Sequence, residues 1–359
     1  MTSPSLFGII NSNRDFTDPY YWGKNQFNSS FPVALACYMA AQNIAPVLIS
    51  YLNAEMTRVS EISVANLFGS NLQPSELFFS FETRFDAHRA FIHDDLNAID
   101  LIVCEGNREC QKRPLEIKLT TLPDNSTEAL GERSYGTEIV IRSATMRYLA
   151  LSMASSSRDH FSEIKQIFEP AMALVREWDS VVEMTQRAPK IIDALLIFLD
   201  RFESYQTPLL MQPIWKTQGK TSKLAENCLD MFVWTDFALT HLFLESARNS
   251  LGTSKISRQL RAALRLSRFL YSCASAGRVH QAPIYDGMTY DNQNDKEFSI
   301  SGLKSRPLMA CDRLVTPIIK RGEIKNIVLG GGHKYLSPER RFDAILYFSH
   351  ELFENGDTI

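Results

Sequence analysis

Two acids and a lysine between residues 98 and 119 have the types and the spacing of a metal-dependent hydrolytic site. Asp100 lies in a short apolar run, and Glu116 and Lys118 lie two residues apart in a run that alternates apolar with polar residues. Both runs are typical of β-strands, and the polar stretch at residues 105–113 is turn-like. Because successive side chains of a strand point to opposite faces, Glu116 and Lys118 should share one face while their apolar neighbours enter the core.

These residue types fit the hydrolysis of a phosphodiester. A carboxylate in an apolar strand is costly unless it is paired or bound to a cation, and carboxylate oxygens hold Mg²⁺ while the ion keeps several waters. Such an ion offsets charge on the phosphate and activates water. We expect Asp100 and Glu116 to bind Mg²⁺ and Lys118 to position or help deprotonate that water. A structural ion pair between Glu116 and Lys118 is the alternative.

A third acidic ligand could come from the segment that precedes these strands. Glu82 is the better candidate and Glu76 the second, and Asp95 or Asp94 would replace Asp100 if that residue were not the ligand. We expect the segment to be a helix that begins near Ser75, after Pro74. The apolar residues that recur at helical spacing there are Leu77, Phe78, Phe81 and Phe85.

The remaining elements follow from hydrophobic periodicity. Residues 31–44 predict a buried helix, and residues 143–275 are mostly helical in pattern. The long amphipathic stretches fall at residues 163–182, 190–202, 223–248 and 257–274. A final strand at 324–329 and a closing helix at 337–354 complete a mixed α/β chain with helix in excess. Because no repeat or linker divides the chain, we treat residues 1–359 as a single domain.

The composition is that of a globular protein, since 45% of the 359 residues are hydrophobic, 22% are charged and the net charge is -3. It excludes an intrinsically disordered chain, a collagen and a coiled coil. A pI of about 6.2 means that only a local basic patch could argue for nucleic-acid binding. The N-terminus has no secretory pattern and the apolar windows are too short to cross a bilayer, so we expect a cytoplasmic protein.

The order Asp, then Glu-x-Lys after a turn, resembles the signature of the PD-(D/E)xK nuclease superfamily. A longer resemblance covers most of the chain and rests on Ser12-Asn13-Arg14, residues 22–32 (WGKNQFNSSFP), residues 114–120 (PLEIKLT) and residues 213–216 (PIWK). These motifs resemble the HindVP-like family of type II restriction endonucleases, and the N-terminal motif is the most distinctive. One departure is that Ile99, rather than the usual Pro, precedes Asp100.

This resemblance implies Mg²⁺-dependent cleavage of double-stranded DNA at a GRCGYC-type palindrome, giving 5′-phosphate ends, with Asp100, Glu116 and Lys118 as the catalytic set. It implies a PD-(D/E)xK core with a central mixed β-sheet, flanking helices and large helical insertions. The core would span roughly residues 70–150 and a helical DNA-binding portion roughly 151–330. A palindrome read symmetrically implies a homodimer, and a prokaryotic host needs a cognate DNA methyltransferase for protection. A non-catalytic DNA-binding or regulatory module of the same fold is the rival.

A local basic patch is the candidate DNA-contacting surface. Residues 247–284 contain no acidic residue, and four arginines recur there at helical spacing: Arg258, Arg261, Arg265 and Arg268. They should line one face of a helix and contact phosphates or guanines, with a solvated surface as the alternative. Lys24 and Asn25 in the N-terminal motif, and Lys216 and Lys220 in a basic loop, are further candidates for DNA contact.

Overall fold

The computed structural model describes a large part of the chain, in separate ranges. The described residues are 9, 11–14, 33, 36–37, 40, 47–53, 56–61, 63–119, 139–202, 209–210, 215–218, 221–224, 232–234, 240, 244, 247–248, 250–252, 256–286 and 296–300. The predicted strand at 324–329 and the predicted closing helix at 337–354 lie outside these residues.

A small antiparallel hairpin and a short helix follow the described residues between positions 9 and 40. The elements are β1 (Val47–Asn53), β2 (Met56–Glu61) and α1 (Val64–Phe68). Ser63 caps α1 by accepting a hydrogen bond from the Asn66 N–H, and Gly69 ends it in the left-handed region with φ of +69°.

The predicted pair of strands forms the centre of a three-stranded antiparallel sheet. Its strands are β3 (Leu77–Thr83), β4 (Ile99–Glu105) and β5 (Gln111–Leu115), in that spatial order. The turn between β4 and β5 passes through Gly106, whose φ of +74° suits a residue without a side chain. The predicted hairpin is therefore confirmed, but its second strand is displaced: residues 111–113, predicted to be turn-like, belong to β5. Residues 117–119, predicted to continue this strand, pair with a different strand.

The helix predicted to begin near Ser75 is wrong, because residues 77–83 form strand β3. The helical start signal is real but yields only a 3₁₀ turn at Pro74–Glu76. Along β3, Leu77, Phe79 and Phe81 are buried, while Phe78 packs against the helical core on the other face. A short strand covered on both faces shows no alternation of apolar and polar residues, so periodicity cannot separate it from a buried helix.

The remaining strands form small antiparallel sheets. They are β6 (Ile117–Leu119), β7 (Ile139–Arg142), β8 (Leu209–Leu210), β9 (Trp215–Gln218), β10 (Thr221–Leu224), β11 (Phe232–Trp234) and β12 (Lys296–Ile300). The pairings are β6-β11-β8, β9-β10 and β7-β12. Within the described ranges, parallel pairing is limited to the isolated bridges Ser12–Phe79 and Ile92–Val279, so a central mixed sheet is not what these strands form.

Five helices follow β7 or lie near the end of the described chain. They are α2 (Ser143–Ser156), α3 (Phe161–Met172), α4 (Val181–Phe202), α5 (Arg258–Ala276) and α6 (Ala282–Tyr285). Helices α3 and α4 fall near the predicted stretches, with a break at residues 173–180 that the periodicity did not predict. Helix α5 matches the predicted stretch at 257–274, and Ser257 caps it by accepting from the Leu260 N–H at 3.1 Å.

The stretch at residues 223–248 was predicted to be helical throughout, and that prediction is wrong for its first part. Strands β10 and β11 lie there, and helical residues begin only at Thr240 among those described. The aromatic and β-branched residues of β11 favour a strand. The predicted helix at residues 31–44 is helical at its described residues, and Val33 and Ala36 are buried there.

Helices α2 to α5 pack into one apolar cluster against one face of the β3-β4-β5 sheet. Ile102 and Cys104 contribute from β4, and the largest buried side chains of the helices are Phe168, Phe198, Phe202 and Phe269. This packing fixes the sheet against the N-terminal end of α2, where the candidate site lies. None of the helices described is long and apolar enough to span a membrane.

Candidate active site

Asp100 and Glu116 lie beside each other at the end of the β4-β5 pair. The register ends with Leu101 opposite Leu115, and Asp100 and Glu116 are the next residue along each chain segment. Directly opposed residues of an antiparallel pair have neighbouring side chains on the same face. In addition, Asp100 Oδ2 accepts a hydrogen bond of 2.8 Å from the Ile117 N–H. The Asp100 carboxylate is thus attached to the segment that carries Glu116.

Glu116 lies at the point where the chain leaves one sheet for another. It falls between β5, which pairs with β4, and β6, which pairs with β11. Its side chain is only 7% exposed, and Oε1 accepts a hydrogen bond of 3.1 Å from Thr145 Oγ1 in the first turn of α2. The change of pairing partner explains why Leu115, Glu116 and Ile117 are all buried where simple alternation predicts an open face for Glu116.

The main chain of Lys118 lies in β6, opposite Val233 of β11. This places the residue two positions after Glu116, in the next short strand of the same segment. Its side chain lies outside what the structure describes. The assignment of Lys118 to the attacking water therefore stays a prediction.

Glu82 flanks Asp100 on the other side. The β3-β4 register pairs Phe81 with Leu101 and Thr83 with Ile99, so that Glu82 falls opposite Asp100. Its φ of +49° is unusual for a residue with a side chain and interrupts the regular strand. We call Glu82, Asp100 and Glu116 the acid row, because they follow one line across β3, β4 and the residue directly after β5.

A third metal ligand is not found in the described part of the chain. No group of three or more histidine, cysteine, aspartate or glutamate side chains there is arranged to hold a metal ion. Glu76 accepts a hydrogen bond of 2.9 Å from the Gln73 N–H and so serves as a helix cap. The side chain of Glu82 is 49% exposed and its Oε1 lies 3.5 Å from Arg14 Nη2.

The alternative acids Asp94 and Asp95 lie in the loop before β4. Asp94 accepts a hydrogen bond from the Gln281 N–H, and its Oδ1 lies 3.2 Å from His280 Nδ1. The Gln281 N–H is the main reason why the pKa of Asp94 is lowered, and His280 acts in the same direction. Asp94 therefore stabilises the start of α6 by its hydrogen bond with Gln281, whereas Asp95 is exposed. Asp100 is the acid whose position matches Glu116.

Arg14 is a residue of this site that the sequence did not assign to it. Its side chain is 10% exposed, and its guanidinium lies 4.4 Å from the centre of the Phe81 ring. Burial lowers the pKa of Arg14 to about 10, while the charges of Glu82 and Asp100 act in the opposite direction. The signal in the sequence was the Ser12-Asn13-Arg14 motif, which has no local pattern that links it to an acid about 70 or more residues away.

The predicted arginine surface on α5 is in large part internal. Arg261 is 3% and Arg265 is 4% exposed, so the expectation that these two line an open face is wrong. Every residue from 260 to 267 is buried, which means that α5 is covered all round and its arginine face is inside as well. Arg268 donates to the Pro283 carbonyl at 3.1 Å and stacks over Trp178 at 4.8 Å.

The other residues predicted to contact DNA are not tested by the structure. The side chains of Arg258 and Lys216 lie outside what is described, although their main chains lie in α5 and β9. Lys24, Asn25 and Lys220 lie outside the described residues altogether.

The donor set at Asp100 and Glu116 fits a hard divalent cation. Both groups are carboxylates, which Mg²⁺ prefers, and Mg²⁺ is commonly held by one or two protein carboxylates while it keeps waters and binds substrate phosphate. The Ile117 N–H and the Thr145 hydroxyl each orient one of the two carboxylates. Such hydrogen bonds from neighbouring groups fix the direction of a metal ligand. The chemistry of these two side chains is therefore compatible with a divalent cation.

Comparison with known proteins gives consistent results over almost the whole chain. The model of the HindVP restriction endonuclease family matches residues 22–353. The chain is 40% identical over 356 residues to the type II restriction enzyme HgiDI of Herpetosiphon aurantiacus, which covers 99% of this chain and 98% of that protein. It is 39% identical over 350 residues to the probable type II restriction enzyme HindVP of Haemophilus influenzae, covering 98% and 95%. No solved structure matches the chain.

Proposed function

The chain belongs to the HindVP restriction endonuclease family, and we propose from that membership and from the acid pair that it cuts both strands of DNA with Mg²⁺ bound at Asp100 and Glu116. It is an enzyme of the type II restriction class, a site-specific deoxyribonuclease. The observation that carries the metal site is the Asp100 carboxylate held on the Ile117 N–H, next to the buried Glu116.

Each residue of the proposed site has a separate role. Asp100 and Glu116 hold the cation, and the Thr145 hydroxyl keeps the Glu116 carboxylate in one orientation. Bound Mg²⁺ supplies positive charge at the phosphodiester and lowers the pKa of water. Lys118 holds the attacking water and stabilises developing negative charge. Burial of Glu116 keeps bulk water away from one of the two ligands, which strengthens its attraction to a cation.

The finer features of the reaction follow from the family resemblance. We assign to the site a GRCGYC-type palindrome as substrate, a PD-(D/E)xK core, and products with 5′-phosphate and 3′-hydroxyl ends. A palindrome presents the same sequence on both strands, so a homodimer with two copies of the site is the matching assembly. A cognate DNA methyltransferase in the same prokaryotic cytoplasm would protect the host genome.

The DNA-contacting residues are assigned by charge and by amide chemistry. Lys24, Asn25, Lys216, Lys220 and Arg258 remain candidates for phosphate or base-edge contacts. Arg268 is a weaker candidate, because its guanidinium already binds a carbonyl and stacks on an indole ring. Arg261 and Arg265 are left out because their burial keeps them from a bound duplex.

The test is a digest of plasmid DNA with and without Mg²⁺, followed by sequencing of the ends. We expect cutting only with Mg²⁺, at one palindromic sequence, with 5′-phosphate ends. Lys118→Ala should cut more slowly by orders of magnitude. The control is Glu109→Gln, which changes an exposed acid in the β4-β5 turn and should cut at the wild-type rate. A folded wild-type protein that binds DNA without cutting it would support the non-catalytic rival.

A further inference from the structure

Arg14 places one positive charge at the acid row. Its Nη2 lies 3.5 Å from Glu82 Oε1, and its charge interacts favourably with both Glu82 and Asp100. The guanidinium is covered on one side by the Phe81 ring, and its side chain is 10% exposed. The charge is thus shielded from water at the place where the proposed metal ligands lie.

A dedicated set of hydrogen bonds holds Arg14 at this position. The neighbouring Asn13 side chain accepts from the Phe81 N–H at 2.8 Å and donates to the Phe81 carbonyl at 2.9 Å. The Asn13 N–H also donates to the Phe79 carbonyl at 3.3 Å, and Ser12 Oγ accepts from the Arg14 N–H at 3.1 Å. Residues 11–14 therefore pair with the outer edge of β3 and place the Arg14 side chain next to the acid row.

The positive charge of Arg14 compensates part of the negative charge of the acid row. Burial of a guanidinium is unfavourable unless an opposite charge compensates it, and neighbouring carboxylates repel one another unless a cation lies near them. When no metal is bound, the Arg14 guanidinium and the carboxylates of Asp100 and Glu82 therefore stabilise each other. We propose that Arg14 is a positioning residue that acts as the resident counter-ion of Asp100 and Glu82, and that it competes electrostatically with the divalent cation of the proposed function.

This inference predicts a specific effect on metal binding. If the cation lies on the order of 6 Å from the Arg14 charge, Coulomb's law at the dielectric constant of water changes the affinity of the site for the cation by about tenfold. Loss of the Arg14 charge should therefore strengthen metal binding, although a merely structural loss would weaken it. It should also leave the metal-free protein less stable, and a bound cation should reverse that loss.

The experiment measures Mn²⁺ binding to the full chain without DNA, by the electron paramagnetic resonance signal of the free ion. Arg14→Met should bind Mn²⁺ about tenfold more tightly than the wild type. Arg14→Lys, which keeps the charge, should stay close to the wild type. Arg89→Met is the matched control, since it removes one arginine charge at an exposed pair with Asp86 and should have no effect. If Arg14→Met does not fold, Arg14→Gln replaces it.

Thermal unfolding with and without Mn²⁺ supplies the second measurement. We expect Mn²⁺ to raise the melting temperature of Arg14→Met by more than it raises that of the wild type. The inference for Arg14 would be overturned if Arg14→Met lowered the melting temperature equally with and without Mn²⁺. It would also be overturned if Arg14→Met bound Mn²⁺ as tightly as the wild type or less tightly. The proposed function has its own indicator, because Glu116→Gln should lose Mn²⁺ binding. A wild type that binds no Mn²⁺, or a Glu116→Gln variant that binds it normally, would overturn both.

Discussion

His88 gives the structure a dependence on pH that can be worked out from its surroundings. It lies in the 3₁₀ helix Asp86–Ala90, is 1% exposed, and its ring packs edge-on against Phe85 at 4.9 Å. Its Nε2 has no hydrogen-bond partner among the described residues. Burial lowers the pKa of His88 from 6.5 to about 4, because the charged imidazolium would lose its hydration.

The direction of the effect follows from proton binding in the two states. The unfolded chain protonates this histidine below pH 6.5, whereas the folded chain resists protonation until about pH 4. Stability is therefore unaffected by His88 above pH 6.5 and is lost as the pH falls between these two values. Each pH unit costs about 1.4 kcal/mol, so that the loss reaches about 2 kcal/mol at pH 5 and about 3 kcal/mol at pH 4.

Urea unfolding of the wild type and His88→Leu at pH 7.5 and pH 5 measures this effect. The wild type should lose about 2 kcal/mol more than the variant between the two conditions, and His93→Leu, at an exposed histidine, should behave as the wild type does. Parallel losses in the wild type and His88→Leu would refute the reasoning. His88 also lies next to Tyr148, with 6.4 Å between the ring centroids, and the Tyr148 hydroxyl donates to the Pro114 carbonyl in β5 at 3.2 Å.

Three further substitutions separate metal binding, ligand orientation and the role of α5. Asp100→Asn should remove Mg²⁺-dependent cleavage because it removes a charged ligand, while the amide oxygen can still accept the Ile117 N–H. In metal-free urea it should unfold at a somewhat lower concentration, because Arg14 loses one of its two counter-charges. Normal cleavage would move the ligand to Asp95 or Asp94. Thr145→Val should lower the free energy of unfolding by about 2 kcal/mol and raise the Mg²⁺ concentration for half-maximal cleavage, because Glu116 loses the hydrogen bond from the Thr145 hydroxyl. Arg268→Ala should lower the free energy of unfolding in urea by about 1–2 kcal/mol, because the hydrogen bond to the Pro283 carbonyl and the contact with the Trp178 ring are lost. The affinity of this variant for DNA is measured in Ca²⁺ at several salt concentrations. An unchanged slope of log affinity against log salt would show that Arg268 contacts no phosphate.

The acid pair could be predicted from the sequence because it depends on local pattern. Asp100 lies in β4 and Glu116 directly follows β5, and a short turn joins these two strands, so that the hairpin register brings the two acids close together. The resemblance to the restriction endonuclease family indicates the same two residues independently. The burial of Glu116 was missed, because it depends on the change of strand pairing from β4 to β11, which involves distant parts of the chain.

Two of the errors have a related physical cause, which is burial that the sequence pattern does not reveal. Strand β3 is covered on both faces, and its phenylalanines were interpreted as one face of a helix. On α5, Arg261 and Arg265 recur as a charged surface would, yet the packing of α3 and α4 against this helix leaves little of it open. Arg14 could not be assigned to the site because its contact with Glu82 joins segments far apart in sequence.

The most direct test of the proposed metal site at Asp100 and Glu116 is the single-turnover cleavage rate of Glu116→Gln, measured on a cognate duplex at saturating Mg²⁺. Binding of the same duplex in Ca²⁺ serves as the check that the variant is folded and engages DNA. Since the substitution keeps the shape of the side chain and removes its charge, we expect unchanged binding and a cleavage rate lower by orders of magnitude. Cleavage at the wild-type rate by the folded variant would contradict the site.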